Sequence, residues 1–358
     1  MSRPPAQAAL WARLTAWDNL EASAWEVIRG KRSRLAADLL FRRLDAELIA
    51  LQAELREGRY RPGPYRSFWV ADPKPRLISA APLRDRVVHH ALVRVIEPLF
   101  ERRFIHHSYA CRRGKGTHAC LDAFVRGARG HRYVLMMDVQ RFFPSIDHAV
   151  LESAVFDVIR SPPIRALVKV IIDGSNPQEP VLAHFPGDDL FTPLTRRRGL
   201  PIGNLTSQFF ANVLLDRLDH AVVDRRRHGR YLRYCDDLAM FGDDLGALNA
   251  LRAFVDDTLA GLRLKAHPRK SRVRRVDEGL TFLGFVVRRG SLRLGQVGLA
   301  RFRARRRRGE AFEPASFAAW SAHVAQGTTR GLVRRLLEAE ARRTTPAGGA
   351  AAEPPAVR

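Results

Sequence analysis

Three aspartates carry the chemistry open to this sequence. Asp236 and Asp237 are adjacent, between the runs Tyr231-Leu232-Arg233-Tyr234 and Leu238-Ala239-Met240-Phe241-Gly242. The pattern reads as a β-hairpin whose tight turn carries both acids. Side-by-side carboxylates repel unless a cation neutralises them, so a divalent-metal site is the natural reading, and an acidic surface turn is the alternative for the pair alone. Earlier in the chain, Tyr133-Val134-Leu135-Met136-Met137-Asp138 is a short apolar run ending on one acid. Such a run suits a strand buried on both faces, and Asp138 stands where it emerges, able to meet Asp236 from a neighbouring strand. Three carboxylates so placed can hold two Mg²⁺ ions roughly 3.5–4 Å apart, with Mn²⁺ as a substitute, and drive in-line phosphoryl transfer.

The elements that must position these acids follow in order. Residues 1 to about 60 read as helix, with Leu44, Leu48, Leu51 and Leu55 at helical spacing before Gly58. Strand-like Ser67-Phe68-Trp69-Val70 leads into a short hairpin carrying Lys74 and Arg76, suited to gripping a triphosphate through charge-assisted bonds; a solvated turn is the alternative. Arg84-Asp85 opens a long helix, where an Arg–Asp structural pair and a substrate contact stand equal. In Gly114-Lys115-Gly116, template-backbone binding and a structural turn stand equal too, and the segment is no P-loop. Ser145 or Asp147 is expected to cap the helix after Phe142-Phe143-Pro144. Residues from about Ser161 to Arg198 are proline- and charge-rich and read as a variable connection, with Asp188-Asp189 a solvated pair that no apolar strands flank.

After the segment Gly199–Gln208 comes an amphipathic helix through Phe209, Val213, Leu214 and Leu218. A second helix-like span runs from Leu248 to Leu262, and Thr281–Val287 reads as a strand. From Arg301 the chain turns strongly basic, a later helix carries Leu332, Leu336 and Leu337, and residues 344–358 read as a disordered tail.

The 358 residues carry 61 basic and 37 acidic side chains, a net charge of +24, with a pI of about 11.3. That excess predicts a polyanionic partner, of which nucleic acid is the commonest. Lysine is rare (Lys31, Lys74, Lys115, Lys169, Lys265 and Lys270), which draws attention to those within motif-like stretches. Cys111, Cys120 and Cys235 show neither zinc spacing nor an even count, so a reducing compartment is expected. No signal-peptide core and no long apolar run is visible, which predicts a cytoplasmic protein with no membrane partner.

Tyr234-Cys235-Asp236-Asp237 resembles the YxDD box of reverse transcriptases, and Asp138-Val139-Gln140-Arg141-Phe142-Phe143 resembles their first catalytic-aspartate motif. Gly199-Leu200-Pro201-Ile202-Gly203-Asn204-Leu205-Thr206-Ser207-Gln208 is similar to the motif in reverse transcriptases of diversity-generating retroelements. The resemblance implies an α+β right-hand polymerase with helical fingers, an antiparallel-sheet palm and a small helical thumb. Its expected divisions are a helical extension over 1–60, fingers over 61–130, palm over 131–290 with a finger-side connection near 161–198, and thumb over 291–343.

On this resemblance Asp138 and Asp236 bind both metals and Asp237 supports them. Lys74 and Arg76 meet the triphosphate, and Phe143 is the steric gate against a 2′-hydroxyl, its neighbour Phe142 being the better core residue. Ile202, Gly203 and Gln208 lie by the nascent pair. Ile202 stands where many relatives keep glutamine, which implies error-prone copying, particularly opposite adenine. Lys270, with Lys265 second, resembles the lysine that protonates pyrophosphate, a surface lysine being the alternative for both. The segment Thr281–Val287 resembles the primer-grip region.

The partners implied are template RNA, a DNA or RNA primer, dNTPs and a small basic accessory protein. No appended endonuclease is expected in the remaining length. Rival readings are a defence-associated, retron-like or group II intron-like enzyme, and a catalytically idle RNA-binding protein.

Overall fold

The computed structural model describes residues 7–29, 42–71, 75–175 and 181–308, with positions 321, 324 and 331. The chain divides into two compact units, one of residues 1–120 and 133–274, the other of 121–132 and 275–358.

The first unit begins with α1 (Gln7–Leu14), α2 (Trp17–Ile28) and α3 (Leu44–Arg56). In α3 the leucines picked out by their spacing, Leu44, Leu48, Leu51 and Leu55, are the buried ones. Strands β1 (Arg66–Val70) and β2 (Arg76–Ala80) pair antiparallel from Arg66↔Ala80 to Val70↔Arg76, and β1 is exposed throughout. The long α4 (Leu83–Glu101) buries Val87, Val88, Ala91, Leu92, Val95 and Ile96 and packs on α2. Its Asp85 is held by Tyr60 Oη and Gly63 N, each at 2.8 Å, while Arg84 pairs with Glu54 at 2.7 Å. Asp85 thus pins the preceding turn to the helix start.

Helix α5 (Thr117–Gly130) leads into β3 (Tyr133–Asp138), whose Val134, Leu135 and Met137 are buried, as its apolar run requires. A short turn of helix, α6 (Phe142–Ser145), precedes α7 (His148–Phe156), which Asp147 caps by accepting a bond from Val150 N at 3.0 Å. The expected variable connection holds a regular helix, α8 (Pro162–Asp173). Ile164, Leu167, Val168, Ile171 and Ile172 form its buried stripe, and its two prolines occupy the first turn, where the missing N–H costs nothing. Across the short α9 (Thr192–Thr195), Asp188 is not solvated as expected: Arg196 ion-pairs with it, and both side chains are almost fully buried. Asp189, by contrast, is exposed and accepts bonds from the backbone N–H groups of Phe191 and Thr192.

Helix α10 (Leu205–His220) lies against α4 and α7, with both faces buried. Strands β4 (Tyr231–Tyr234) and β5 (Asp237–Gly242), helix α11 (Leu245–Gly261) and strand β6 (Arg272–Arg275) follow. The sheet order is β4-β5-β3-β6, and both β3 and β4 run antiparallel to β5.

In the second unit, Phe124 stacks on Phe282 with ring centroids 4.1 Å apart, and Val276 N bonds Arg132 O at 3.0 Å. The stretch expected as one strand is a hairpin: β7 (Leu280–Phe282) and β8 (Phe285–Arg288) turn at Leu283 and Gly284, both at positive φ. Strand β9 (Ser291–Leu294) completes the meander, and the basic helix α12 (Gln296–Arg307) follows. A side chain at Gly295 would meet Gly284 O at 2.7 Å, so only glycine closes this contact. The expected helix with Leu332, Leu336 and Leu337 and the tail over 344–358 lie outside the described residues. No described helix is long and apolar enough to cross a membrane.

Candidate active site

The strand register brings the acids together. Asp138, the last residue of β3, is directly opposite Asp237, the first of β5, and Asp237 in turn pairs with Tyr234. The hairpin turn is therefore Cys235-Asp236, and Asp237 belongs to the strand rather than to the turn expected for it. Val139 N donates to Asp236 O at 3.3 Å, tying the turn to the end of β3. Burial, together with the negative charge of Asp138, pushes the Asp236 carboxyl above its usual range. The charge of Asp237 acts on the Cys120 thiol, which burial already pushes up.

A cation already attends this pair. Lys270 Nζ is ion-paired with Asp138 Oδ2, and the loop that carries it is stitched to β3 by His267 N on Asp138 O (2.7 Å) and Gln140 N on Lys265 O (2.8 Å). Lys265 itself lies elsewhere, its Nζ 5.4 Å from the centre of the Phe185 ring. Among the described residues no group of three or more His, Cys, Asp or Glu is gathered closely enough to hold a metal. Two hard carboxylates still suit a divalent cation, whose shell water and other oxygen ligands complete. Asp138 and Asp236 fit that demand, and the ammonium on Asp138 marks where positive charge is favoured.

The remaining candidates gather by backbone bonds. Leu200 N bonds Phe143 O at 2.9 Å and Gly199 N bonds Ile146 O at 2.8 Å, so the Gly199–Gln208 segment is sewn to the residues after Asp138. Phe143 is half-buried, and Phe142 beside it is the core residue. Ser79 N bonds Ile202 O at 3.1 Å, and Asn204 Nδ2 bonds Ser79 O at 3.0 Å, fixing strand β2 to the same segment. Gly203 has φ +111° and a Cβ there would sit 3.0 Å from Ile78 Cγ2, so glycine is needed for this docking. Ile202 is half-buried, while Gln208 and Arg76 are exposed. Lys74 lies outside the described residues. Lys115 Nζ is bonded to His106 O at 2.9 Å, which makes it a strap across its own loop.

Arg233, in the middle of β4, is fully buried and escaped the sequence reading as a positioning group. Its Nη2 and Nε grip Asp219 at 2.7–3.0 Å, Nη1 donates to Asn212 Oδ1 at 2.9 Å, and Nη2 donates to Ser108 Oγ at 3.0 Å. Nη1 also reaches Cys235 O at 3.1 Å, in the turn itself. Cys235 has φ +55°, a left-handed conformation costing a non-glycine residue roughly 1–2 kcal/mol, so the turn needs such an anchor. One signal was legible: an arginine inside an apolar strand must find a buried partner.

Comparison with known proteins decides the class. The family model described as reverse transcriptase (RNA-dependent DNA polymerase) matches residues 71–287, a span holding all three aspartates. The chain belongs to the reverse transcriptase family. It is 24% identical to the protein YkfC of Escherichia coli strain K12 over 72% of this chain and 76% of that one. Against the retron Mx65 reverse transcriptase of Myxococcus xanthus it is 32% identical over 41% of this chain and 34% of that one. The group II intron-encoded protein LtrA of Lactococcus lactis subsp. cremoris is 23% identical over 47% of this chain, which spans 27% of it. Among solved structures, telomerase from Candida albicans, in complex with a fragment of telomeric RNA, matches at TM-score 0.46 and 12% identity over 66% of this chain and 46% of that one. This reverse transcriptase chain thus spans about three quarters of YkfC but about a third of the retron enzyme. Its architecture is the α+β right-hand polymerase fold, and enzymes of this family use divalent metal ions.

Proposed function

We propose that the chain copies an RNA template into cDNA by attack of a primer 3′-hydroxyl on the α-phosphate of a dNTP. The observation that carries this reading is that Asp236, in the turn between β4 and β5, is tied to the end of β3 by Val139 N on Asp236 O at 3.3 Å, where the charge of Asp138 acts on its carboxyl. Asp138 and Asp236 would hold two Mg²⁺ ions, or Mn²⁺ in their place, and Asp237 would support them. Bound there, the ions supply charge neutralisation at the phosphates and acidify the primer hydroxyl. Lys74 and Arg76 neutralise the triphosphate, Phe143 excludes a 2′-hydroxyl, and Ile202, Gly203 and Gln208 flank the nascent pair. Lys270, which ion-pairs with Asp138, delivers a proton to the leaving pyrophosphate. The basic helix α12 belongs to a thumb that grips the duplex backbone.

The finer reading is an error-prone enzyme of a diversity-generating retroelement, working with a small basic accessory protein. Ile202 supports it, because an aliphatic side chain cannot hydrogen-bond the nucleotide or template. The identity to the retron enzyme favours a second reading, a retron-like polymerase of ordinary fidelity. Sequencing the products made from a defined RNA template separates them. Template-matched cDNA with substitutions concentrated opposite adenine supports the retroelement reading. Evenly distributed, infrequent errors support the retron-like one, and untemplated product rejects both.

A further inference from the structure

A second charged site lies in the first unit, beginning two residues beyond Asp138. Gln140, Arg141, Ser145, Phe185, Arg196, Arg198, Arg263 and Lys265 contribute to a cavity of about 200 Å³. Neither Asp138, Asp236, Asp237 nor Lys270 lines it.

Its charge is unbalanced. Five cationic side chains and, among the described residues, no acid line the cavity. Two carboxylates stand behind them: Asp147 pairs with Arg263 at 2.8 Å and lies 3.2 Å from Arg196 Nε, and Asp188 pairs with Arg196. The Arg196 side chain is 4% exposed, and its Nε finds no acceptor in hydrogen-bonding geometry despite the nearby Asp147. Arg196 and Lys265 both rest on the Phe185 ring, each 5.4 Å from its centre, so the aromatic holds two like charges close together. Burial and the charge of Arg196 pull the Arg198 pKa down, the mark of a cation in a repulsive setting. Like charges gathered in a partly desolvated cleft are stabilised by an anion, and planar guanidinium forks match phosphate oxygens.

We propose that this cavity binds a phosphate group of high charge, supplied either by free pyrophosphate or by the terminal phosphate of a nucleic-acid strand. Arg196, Arg198, Arg263 and Lys265 against Asp147 and Asp188 leave an excess that such an anion neutralises. The cavity is lined by none of Asp138, Asp236, Asp237 and Lys270, and the binding proposed here needs no metal.

Calorimetric titration of the full chain with sodium pyrophosphate tests this, in a chelating buffer at fixed ionic strength. Without divalent ions, binding through Asp138 and Asp236 is suppressed, so failure here does not touch the polymerase reading. The expected result is saturable binding that Arg198→Gln weakens by about tenfold or more. Lys265→Gln, an exposed position, should weaken it in the same direction and guards against loss of folding in the first variant. No saturable binding, or equal binding by wild type and both variants, overturns the proposal. In competition, displacement of pyrophosphate by a 5′-phosphorylated RNA oligonucleotide but not by its 5′-hydroxyl twin assigns the site to a strand end. Displacement by neither assigns it to the free anion.

Discussion

Replacing Arg233 with methionine should cost the protein a large part of its stability and separate folding from catalysis. Arg233 and Asp219 are both fully buried, and the guanidinium makes three bonds to that carboxylate. In the variant Asp219 keeps only the Tyr231 hydroxyl, at 2.6 Å, and its charge stays in the core. Breaking a buried pair from one side costs about 3–5 kcal/mol, against a total stability of about 5–15 kcal/mol for a typical protein. For a chain of this size that corresponds to a fall in Tm of roughly 4–7 °C. Urea unfolding of Arg233→Met, Asp219→Leu and the double variant, all at pH 7.5, measures the coupling directly. The double variant, with both charges gone and the volume largely filled, should recover much of the loss, giving a coupling of about 3 kcal/mol. Additive single effects, within about 0.5 kcal/mol, would refute the reasoning. The recovered double variant still lacks the bond to Cys235 O that steadies the turn. Its kcat in primer extension should fall while its KM for dNTP stays near wild type.

Three further outcomes follow from the same geometry. Phe143→Ala should admit rNTPs, read as ribonucleotide incorporation into the product, and unchanged discrimination would return this half-buried ring to a packing role. Ile202→Gln should lower substitutions opposite template adenine several-fold, measured by product sequencing, and an unaltered error spectrum would detach fidelity from this position. Asp216, raised to about 6 by burial and by the charge of Asp219, titrates above its usual value of 3.8. Its contribution to stability is therefore full below about pH 4 and lost as pH rises through 6, by up to about 3 kcal/mol. Asp216→Asn should accordingly stabilise the protein more at pH 7.5 than at pH 4, and a pH-independent effect in denaturant titrations would contradict that assignment.

Local patterns were the legible part of this chain. The continuous apolar run ending on Asp138 and the apolar runs flanking Asp236 are properties of short windows, and the strands fell where those windows put them. The leucine stripe of α3 and the Asp147 cap are equally local. Helix α8 escaped because its leading prolines read as breakers, although the spacing of Ile164, Leu167, Val168, Ile171 and Ile172 is helical throughout. Asp188 and Arg233 were missed for a different reason. Their partners, Arg196 and Asp219, are set by tertiary packing, and charge pairing across a fold leaves no periodic trace. The hairpin at Leu283-Gly284 was hidden by a continuous apolar run in which glycine was the only turn signal.

The central claim is that Asp138 and Asp236 act together on one divalent-metal-dependent reaction. Primer extension on an RNA template by wild type, Asp138→Asn and Asp236→Asn, with RNA binding measured in parallel, tests it most directly. Each variant should lose extension by several orders of magnitude while binding RNA almost as wild type does. Extension at the wild-type rate by either variant would contradict it.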